Sequence, residues 1–187
     1  MMHHGIVSHF DWQDKIMKEY LVSHWKREAR QLAGMGIKVC FTGHFHAQDI
    51  SQKYGLTDIE TGSTVSYPHP YRLIEVNPDK GTLQIQSEHV TALTSMQHSP
   101  ETLQQKSERF ATSALKSVME NMVPPKVPAE VKTECAQVLG EAYAMHLAGD
   151  EDPSTDFRIR LKKAVRHLRH YSWKWAFIMG KIGRHLS

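Results

Sequence analysis

The first part of the chain combines one segment of helical periodicity with a short apolar run. Apolar positions recur every three to five residues over 12–32, which predicts one long helix with Asp11 as its N-cap. Gly34 and Gly36 are expected to end this helix, since glycine often terminates helices. The run Ile37–Thr42 is rich in β-forming residues and stops at Gly43, so it predicts a strand that is buried on at least one face.

Three further segments have strand character. They are Leu56–Thr61, Tyr71–Val76 and Leu83–Glu88. The sequence Asn77–Gly81 separates the last two and offers proline at a turn position and glycine where a positive φ is needed, so it predicts a hairpin. Up to about residue 98 the chain is therefore expected to form an α/β layer.

The pattern becomes helical after residue 98. Apolar positions at helical spacing predict three helices, which span 103–122, 131–145 and 161–178. A loop is expected at 149–153, and either Ser154 or Thr155 can cap the third helix. The predicted fold class is therefore α+β, with an α/β layer over 1–98 and an α-helical appendage over 99–187.

Composition excludes several classes of protein. With 187 residues, 40% of them hydrophobic, and only two cysteines, the chain is neither collagen-like, nor a disulfide-stapled mini-protein, nor fully disordered. No apolar run approaches the roughly 20 residues of a membrane-spanning helix. The N-terminus has no basic region followed by an apolar stretch, as a signal peptide would have. We therefore expect a cytoplasmic protein.

The net charge of +3 conceals a strong asymmetry. Residues 157–187 carry nine Lys or Arg and no acid, whereas residues 1–156 carry fourteen basic residues against twenty acids. A basic segment on an acidic body predicts either an anionic partner, such as nucleic acid or an anionic surface, or docking of the segment onto the body itself.

Histidines carry the candidate chemistry. His44 and His46 follow directly on the predicted strand and Gly43, whose flexibility would let the chain turn so that both imidazoles lie on one side of the loop. A second group, His3 and His4, lies near the N-terminus. Neutral imidazole is the commonest metal ligand in proteins, so a metal site is one interpretation. Exposed loop histidines without a ligand are the other.

The order of these motifs resembles the C-terminal half of the calcineurin-like metallophosphoesterases. The matching segments are Met2-His3-His4-Gly5, Thr42-Gly43-His44-Phe45-His46, Thr61-Gly62-Ser63-Thr64 and Tyr67-Pro68-His69-Pro70-Tyr71-Arg72. The resemblance spans about residues 1–90. It implies part of a four-layer αββα sandwich and hydrolysis of phosphate esters at a binuclear centre of divalent metal ions such as Mn, Fe or Zn.

The resemblance also implies roles for individual residues. His44 and His46 match the Gly-His-x-His pair of metal ligands, and His3 matches a further upstream ligand. His4 takes the variable position beside it, which leaves the choice between His3 and His4 as ligand open because Gly5 stands where the family often has proline. His4 and His9 are the expected substrate-binding residues.

Three motifs of the family's first half are missing from the sequence. These are Asp-x-His, Gly-Asp-x-x-Asp and Gly-Asn-His, so no catalytic residue is assigned and no carboxylate bridges two ions. Neutral histidines cannot offset the repulsion between two close dications, and the chain should therefore bind at most one ion. We expect the C-terminal portion of a phosphoesterase that works with a missing N-terminal half-domain in cis or in trans. The alternative is a non-catalytic module whose basic last helix binds an anionic partner.

Overall fold

The computed structural model describes residues 1–149 and 154–185. Strands occupy its first half and long helices its second, so the fold class is α+β. The strands are β1 Val39–Thr42, β2 Asp49–Lys53, β3 Leu56–Glu60, β4 Pro70–Asn77 and β5 Thr82–His89. The helices are α1 Gln13–Ile16, α2 Trp25–Gly34, α3 Leu103–Met122, α4 Ala129–Ala148, α5 Thr155–Arg169 and α6 Trp173–His185.

A three-stranded sheet of order β1–β3–β2 forms the centre of the first half. β1 pairs with β3 in parallel, and β2 pairs with β3 antiparallel. The N-terminal segment runs along the other edge of β1, where Met2 N–H donates to the carbonyl of Phe41 at 2.9 Å and Gly43 N–H donates to that of His3 at 3.1 Å. The residues around His3 are therefore fixed beside the end of β1.

The prediction of one helix over 12–32 is wrong. The segment contains the four-residue helix α1, a 3-10 turn and then α2, and Trp12 rather than Asp11 occupies the N-cap of α1. Gly5 causes the interruption, because its N–H donates to Tyr20 O and its carbonyl accepts from Val22 N–H, both at 3.0 Å. These bonds pair Gly5 with Leu21, whose backbone is extended, so helical geometry ends at Tyr20.

Strand β2 was not predicted from the sequence, whereas the other four strands were. Its single apolar residue, Ile50, is exposed at the edge of the sheet, whereas the half-buried Ser51 and Lys53 side chains donate to the carbonyl of Ser8. The hairpin β4–β5 is confirmed, with Asn77 opposite Thr82 at its closed end.

The helical half follows the prediction up to α4 and departs from it afterwards. The predicted third helix is two helices, α5 and α6, separated at 170–172. Ser172 starts the new helix, since its side chain accepts from Trp175 N–H at 3.4 Å. Of the two candidate caps of α5, Ser154 is the one used, accepting from Phe157 N–H at 3.1 Å. The predicted loop beyond Gly149 lies outside the described residues.

The hydrophobic cores follow this division. One cluster lies wholly between Val123 and Met179, and another lies within the first 56 residues. Helix α4 joins the two halves, because the ring of His146 lies 5.3 Å from Phe45 and 5.4 Å from Phe10 between ring centroids. Within the part of the chain that the structure describes, no helix has the length and apolar character needed to cross a membrane.

Candidate functional site

Three imidazole rings meet at the C-terminal end of β1. The ring centroid of His44 lies 4.4 Å from that of His3 and 4.3 Å from that of His4, and the His3 and His4 rings are 5.1 Å apart. The backbone bond between Gly43 and His3 produces this convergence, because it fixes the two segments side by side. We call these three residues the imidazole cluster.

The loop after β1 has an unusual backbone. His44 and His46 have φ values of 70° and 63°, in the left-handed region that non-glycine residues rarely adopt. Gly43, which was expected to provide the turn, is not among the residues with positive φ. Such conformations cost on the order of 1–3 kcal/mol and are held by the surrounding structure, often at functional sites.

His46 points to a different neighbour from the cluster. It is exposed, and its Nδ1 lies 3.4 Å from the hydroxyl of Ser66. It is still close enough to influence His44, whose pKa is lowered by burial and by the nearby His4, His3 and His46. The structure thus brings together His3, His4 and His44 and leaves His46 at the margin. Its role as a ligand stays a prediction.

A buried carboxylate on β3 ties the N-terminal segment to the sheet. Oδ2 of Asp58 accepts from the backbone N–H groups of Ile6 at 2.8 Å and Val7 at 3.0 Å, and Oδ1 accepts from the hydroxyl of Thr42. Asp58 is completely buried, so its desolvation is offset by these bonds. The segment after His4 and the end of β1 are therefore held by one side chain.

A second buried carboxylate, Glu60, supports the histidine loop. Its Oε1 accepts from Phe45 N–H at 3.2 Å, and its Oε2 lies 3.4 Å from Nε2 of His9. His9 in turn places Nδ1 2.8 Å from Asp49 and Nε2 3.4 Å from Asp58. The imidazole of His9 thus lies among three carboxylates directly beneath the loop.

These contacts set the protonation of the buried group. Burial alone lowers the pKa of His9, but its bonds to Asp49 and Asp58 and the charge of Glu60 outweigh that effect and raise the pKa to about 9. Burial raises the pKa of Glu60 to about 7, although His9 opposes the shift. His9 is therefore charged at neutral pH and acts as the counter-ion of the carboxylates.

His9 is thereby placed in the interior. Its side chain has no exposed surface. The substrate-binding role of His9 stays a prediction, whereas its contacts are those of a buried ion-pair partner. Asp58 and Glu60 were not among the residues expected at the site. The signal for them was the presence of two acidic residues in the predicted strand Leu56–Thr61, on either side of Ile59.

An aromatic layer lies against the cluster. The ring of Tyr20 is 5.0 Å from that of His44 and 4.6 Å from that of Phe45. Phe45 is almost fully buried, and Tyr143 of α4 packs against it at 5.6 Å. The turn between His44 and His46 is thus anchored by its middle residue.

Arg72 and His69 have structural contacts. The guanidinium of Arg72 donates to the carbonyls of Asp49 at 3.3 Å and Glu60 at 3.0 Å, which joins β4 to the three-stranded sheet. His69 is buried with its Nδ1 3.0 Å from Thr64 O. Both side chains hold the loop beyond β3 in place.

The imidazole cluster offers neutral donors to a metal ion, but its rings are not arranged as a metal site. Three neutral imidazoles suit Zn²⁺ or a similar ion. Two ions would need a shared carboxylate, and Glu60 is instead directed to His9 and Phe45. Among residues 1–149 and 154–185, no group of three or more His, Cys, Asp or Glu side chains is arranged to hold a metal ion. A metal ion at the imidazole cluster therefore stays a prediction.

Part of the basic C-terminal charge is used internally. The guanidinium of Arg160 makes a bidentate ion pair with the carboxylate of Glu141 on α4, at 2.8 and 2.7 Å. The ammonium of Lys163 lies 3.0 Å from the carboxylate of Glu134. These bonds raise the pKa of Arg160 above its ordinary value. Docking of the basic segment onto the acidic body, one of the two expectations, is thus observed for these residues.

Comparison with known proteins assigns no family. No protein-family model matches the chain, and no curated protein shows significant similarity to it.

Proposed function

We propose that this chain is the C-terminal half of a metal-dependent phosphoric-ester hydrolase and supplies histidine ligands to its metal centre. The observation that carries the proposal is the convergence of His3, His4 and His44 at the end of β1. The carboxyl ends of strands in α/β layers are where such sites commonly lie. In this interpretation the two small sheets are parts of a four-layer αββα sandwich.

The residues of the chain have separate tasks in this proposal. His44 with His3 or His4 would hold one divalent ion through neutral imidazoles, and Glu60 keeps the loop in place through Phe45 N–H. A bound ion supplies Lewis-acid polarisation of phosphoryl oxygens and an activated water. The carboxylates required for a second ion would come from an N-terminal half-domain in cis or in trans.

Hydrolysis of p-nitrophenyl phosphate tests the enzymatic part. The full chain is assayed with Mn²⁺ or Zn²⁺, alone and joined to the protein segment encoded upstream. The proposal predicts hydrolysis by the joined protein and its loss in a His44→Ala variant, with a His98→Ala variant as control because His98 is exposed and far along the chain. No hydrolysis of any ester by the joined protein would exclude the enzymatic function.

An exposed basic face on α5 favours a second candidate, a module that binds single-stranded nucleic acid. Lys162, Arg166 and Arg169 are exposed, and the Arg169 guanidinium lies 5.0 Å from the ring of Trp173, which is 71% exposed. The apolar face of α5 packs into the helical core, so it is not available to a membrane. Exposed aromatic rings and cations are what bases and phosphates contact.

Salt dependence tests this second candidate. Binding of a labelled oligonucleotide should weaken steeply with salt, since released counter-ions drive such complexes. An Arg166→Glu, Arg169→Glu variant should lose binding, whereas Lys80→Glu, at the remote β4–β5 turn, should retain it. An absence of binding, or an affinity that does not change with salt concentration, would exclude nucleic-acid binding as the function.

A further inference from the structure

A cleft opens beside the imidazole cluster. It has a volume of about 850 Å³ and lies between the start of α2 and the turn around Lys18. His4 lines one end of it, and the His4 ring is 4.3 Å from that of His44. The cleft, which we call the α2 cleft, therefore shares a residue with the imidazole cluster.

The rim of the α2 cleft is predominantly cationic. Two carboxylates line it, Asp14 and Glu19, against four basic side chains, which are Lys18, Lys26, Arg27 and Arg30. Arg27 is engaged with Glu28 at 2.6 Å, whereas Lys26 is only within 3.8 Å of Asp14. A pair of 3.8 Å between an exposed lysine and a half-buried aspartate is a long one, which leaves the Lys26 ammonium able to contact a bound anion.

The floor of the cleft is apolar. Leu21 and Trp25 are buried beneath the rim, and Val22 is half-buried beside them. The Lys26 ammonium lies 5.4 Å from the centroid of the Trp25 ring, so a cation lies over the apolar floor of the cleft. A cleft of this kind suits a ligand that combines an organic group with negative charges.

We propose that the α2 cleft binds the organic part and the second phosphoryl group of a phosphate ester that carries at least two phosphoryl groups, such as a nucleoside diphosphate. This inference rests on the proposed function, because the imidazole cluster would hold the phosphoryl group to be cleaved. His4, at the junction, then faces both parts of the substrate. The lysines distinguish this substrate class from monoesters with an uncharged leaving group.

Calorimetric titration of the full chain with ADP in EDTA tests the inference without any metal ion. We expect one saturable site, with orthophosphate and adenosine each binding at least about tenfold more weakly because each carries only part of the recognised chemistry. Charge reversal by Lys18→Glu or Lys26→Glu should weaken ADP binding about tenfold. The matched control is Lys80→Glu, since Lys80 is an exposed lysine at the β4–β5 turn.

The outcomes separate the inference from the proposed function. No ADP binding, or an equal loss in Lys80→Glu, would overturn the α2 cleft as a ligand site even if metal ions bind at His44. Conversely, ADP binding that depends on Lys26 would persist if the imidazole cluster proved unable to bind metal. Circular dichroism of each variant confirms that the helices are retained.

Discussion

The carboxylate of Glu60 on β3 accepts a hydrogen bond of 3.2 Å from the backbone N–H of Phe45, the residue between His44 and His46. This bond connects the buried strand to a loop in which both histidines have a left-handed backbone conformation. It therefore links the interior charge cluster of His9 to the geometry of the candidate site.

Replacing Glu60 tests this link. Glu60→Gln keeps a carbonyl oxygen for Phe45 N–H, whereas Glu60→Leu leaves that donor unsatisfied, which costs about 1–3 kcal/mol. We expect Glu60→Leu to weaken Zn²⁺ binding about tenfold, as loss of an outer-shell partner typically does, and Glu60→Gln to weaken it less. Equal affinities in both variants and the wild type would show that the loop does not depend on Glu60.

Asp58 is predicted to matter more for folding than for chemistry. Asp58→Ala removes the carboxylate that accepts three hydrogen bonds, from the buried Ile6 and Val7 N–H groups and from the Thr42 hydroxyl. We expect the free energy of unfolding in urea to fall by about 3–5 kcal/mol. Asp79→Ala, in the exposed hairpin turn, should change it by less than about 0.5 kcal/mol. Similar values for the two variants would contradict the anchoring role of Asp58.

The buried pair His9 and Glu60 predicts a stability that decreases with rising pH. His9 has a folded pKa of about 9, above its ordinary 6.5, so its protonation stabilises the fold below pH 6.5 and this stabilisation is lost as the pH rises to 9. The pKa of Glu60 is raised from 4.5 to about 7, so its protonation also stabilises the fold, and this stabilisation is lost as the pH rises from 4.5 to 7. The lowered pKa of Asp49 has the opposite effect, since the stabilisation it provides is lost as the pH falls, but this happens only in acid.

Urea unfolding at several pH values checks this dependence. The wild type should lose about 2 kcal/mol between neutral pH and pH 9, since a tenfold difference in proton binding between the folded and unfolded states is worth about 1.4 kcal/mol. His9→Gln should be less stable at neutral pH and should lose less stability over that interval, because only the raised pKa of Glu60 then contributes. His98→Gln is the control and should follow the wild type. A flat wild-type profile would mean that His9 is neutral when folded.

Replacing Gly149, at the end of α4, is predicted to destabilise the fold. It has a φ of +68°, and a Cβ there would lie 2.2 Å from the carbonyl oxygen of Gln48. Gly149→Ala should therefore destabilise the fold by more than about 1 kcal/mol. Gly81 has a similar φ of +62° but open space around it, so Gly81→Ala isolates the backbone cost from the clash. Thermal unfolding of the two variants should show a clearly larger loss for Gly149→Ala.

Local patterns predicted the elements whose signals lie within one segment. The hairpin β4–β5 and the helices α3 and α4 follow from turn residues and periodicity. The break between α1 and α2 did not, because it depends on bonds from Gly5 to residues 20–22. The polar edge strand β2 likewise becomes a strand only through pairing with β3.

The candidate site divides in the same way. The family resemblance implied that His3 and His44 are ligands of the same metal centre, and the structure places their ring centroids 4.4 Å apart. The sequence could not predict Asp58 and Glu60, whose roles depend on which N–H groups the fold brings to β3. The substrate-binding role of His9 stays a prediction, and the three carboxylates from β2 and β3 that surround its ring were not expected from the sequence.

Zn²⁺ titration of the full chain tests the central claim most directly. We expect binding of one ion per chain, a loss of at least about tenfold in affinity for His44→Ala, and wild-type affinity for His98→Ala. Binding that is absent, or that His44→Ala leaves unchanged, would contradict the assignment of a metal site to the end of β1.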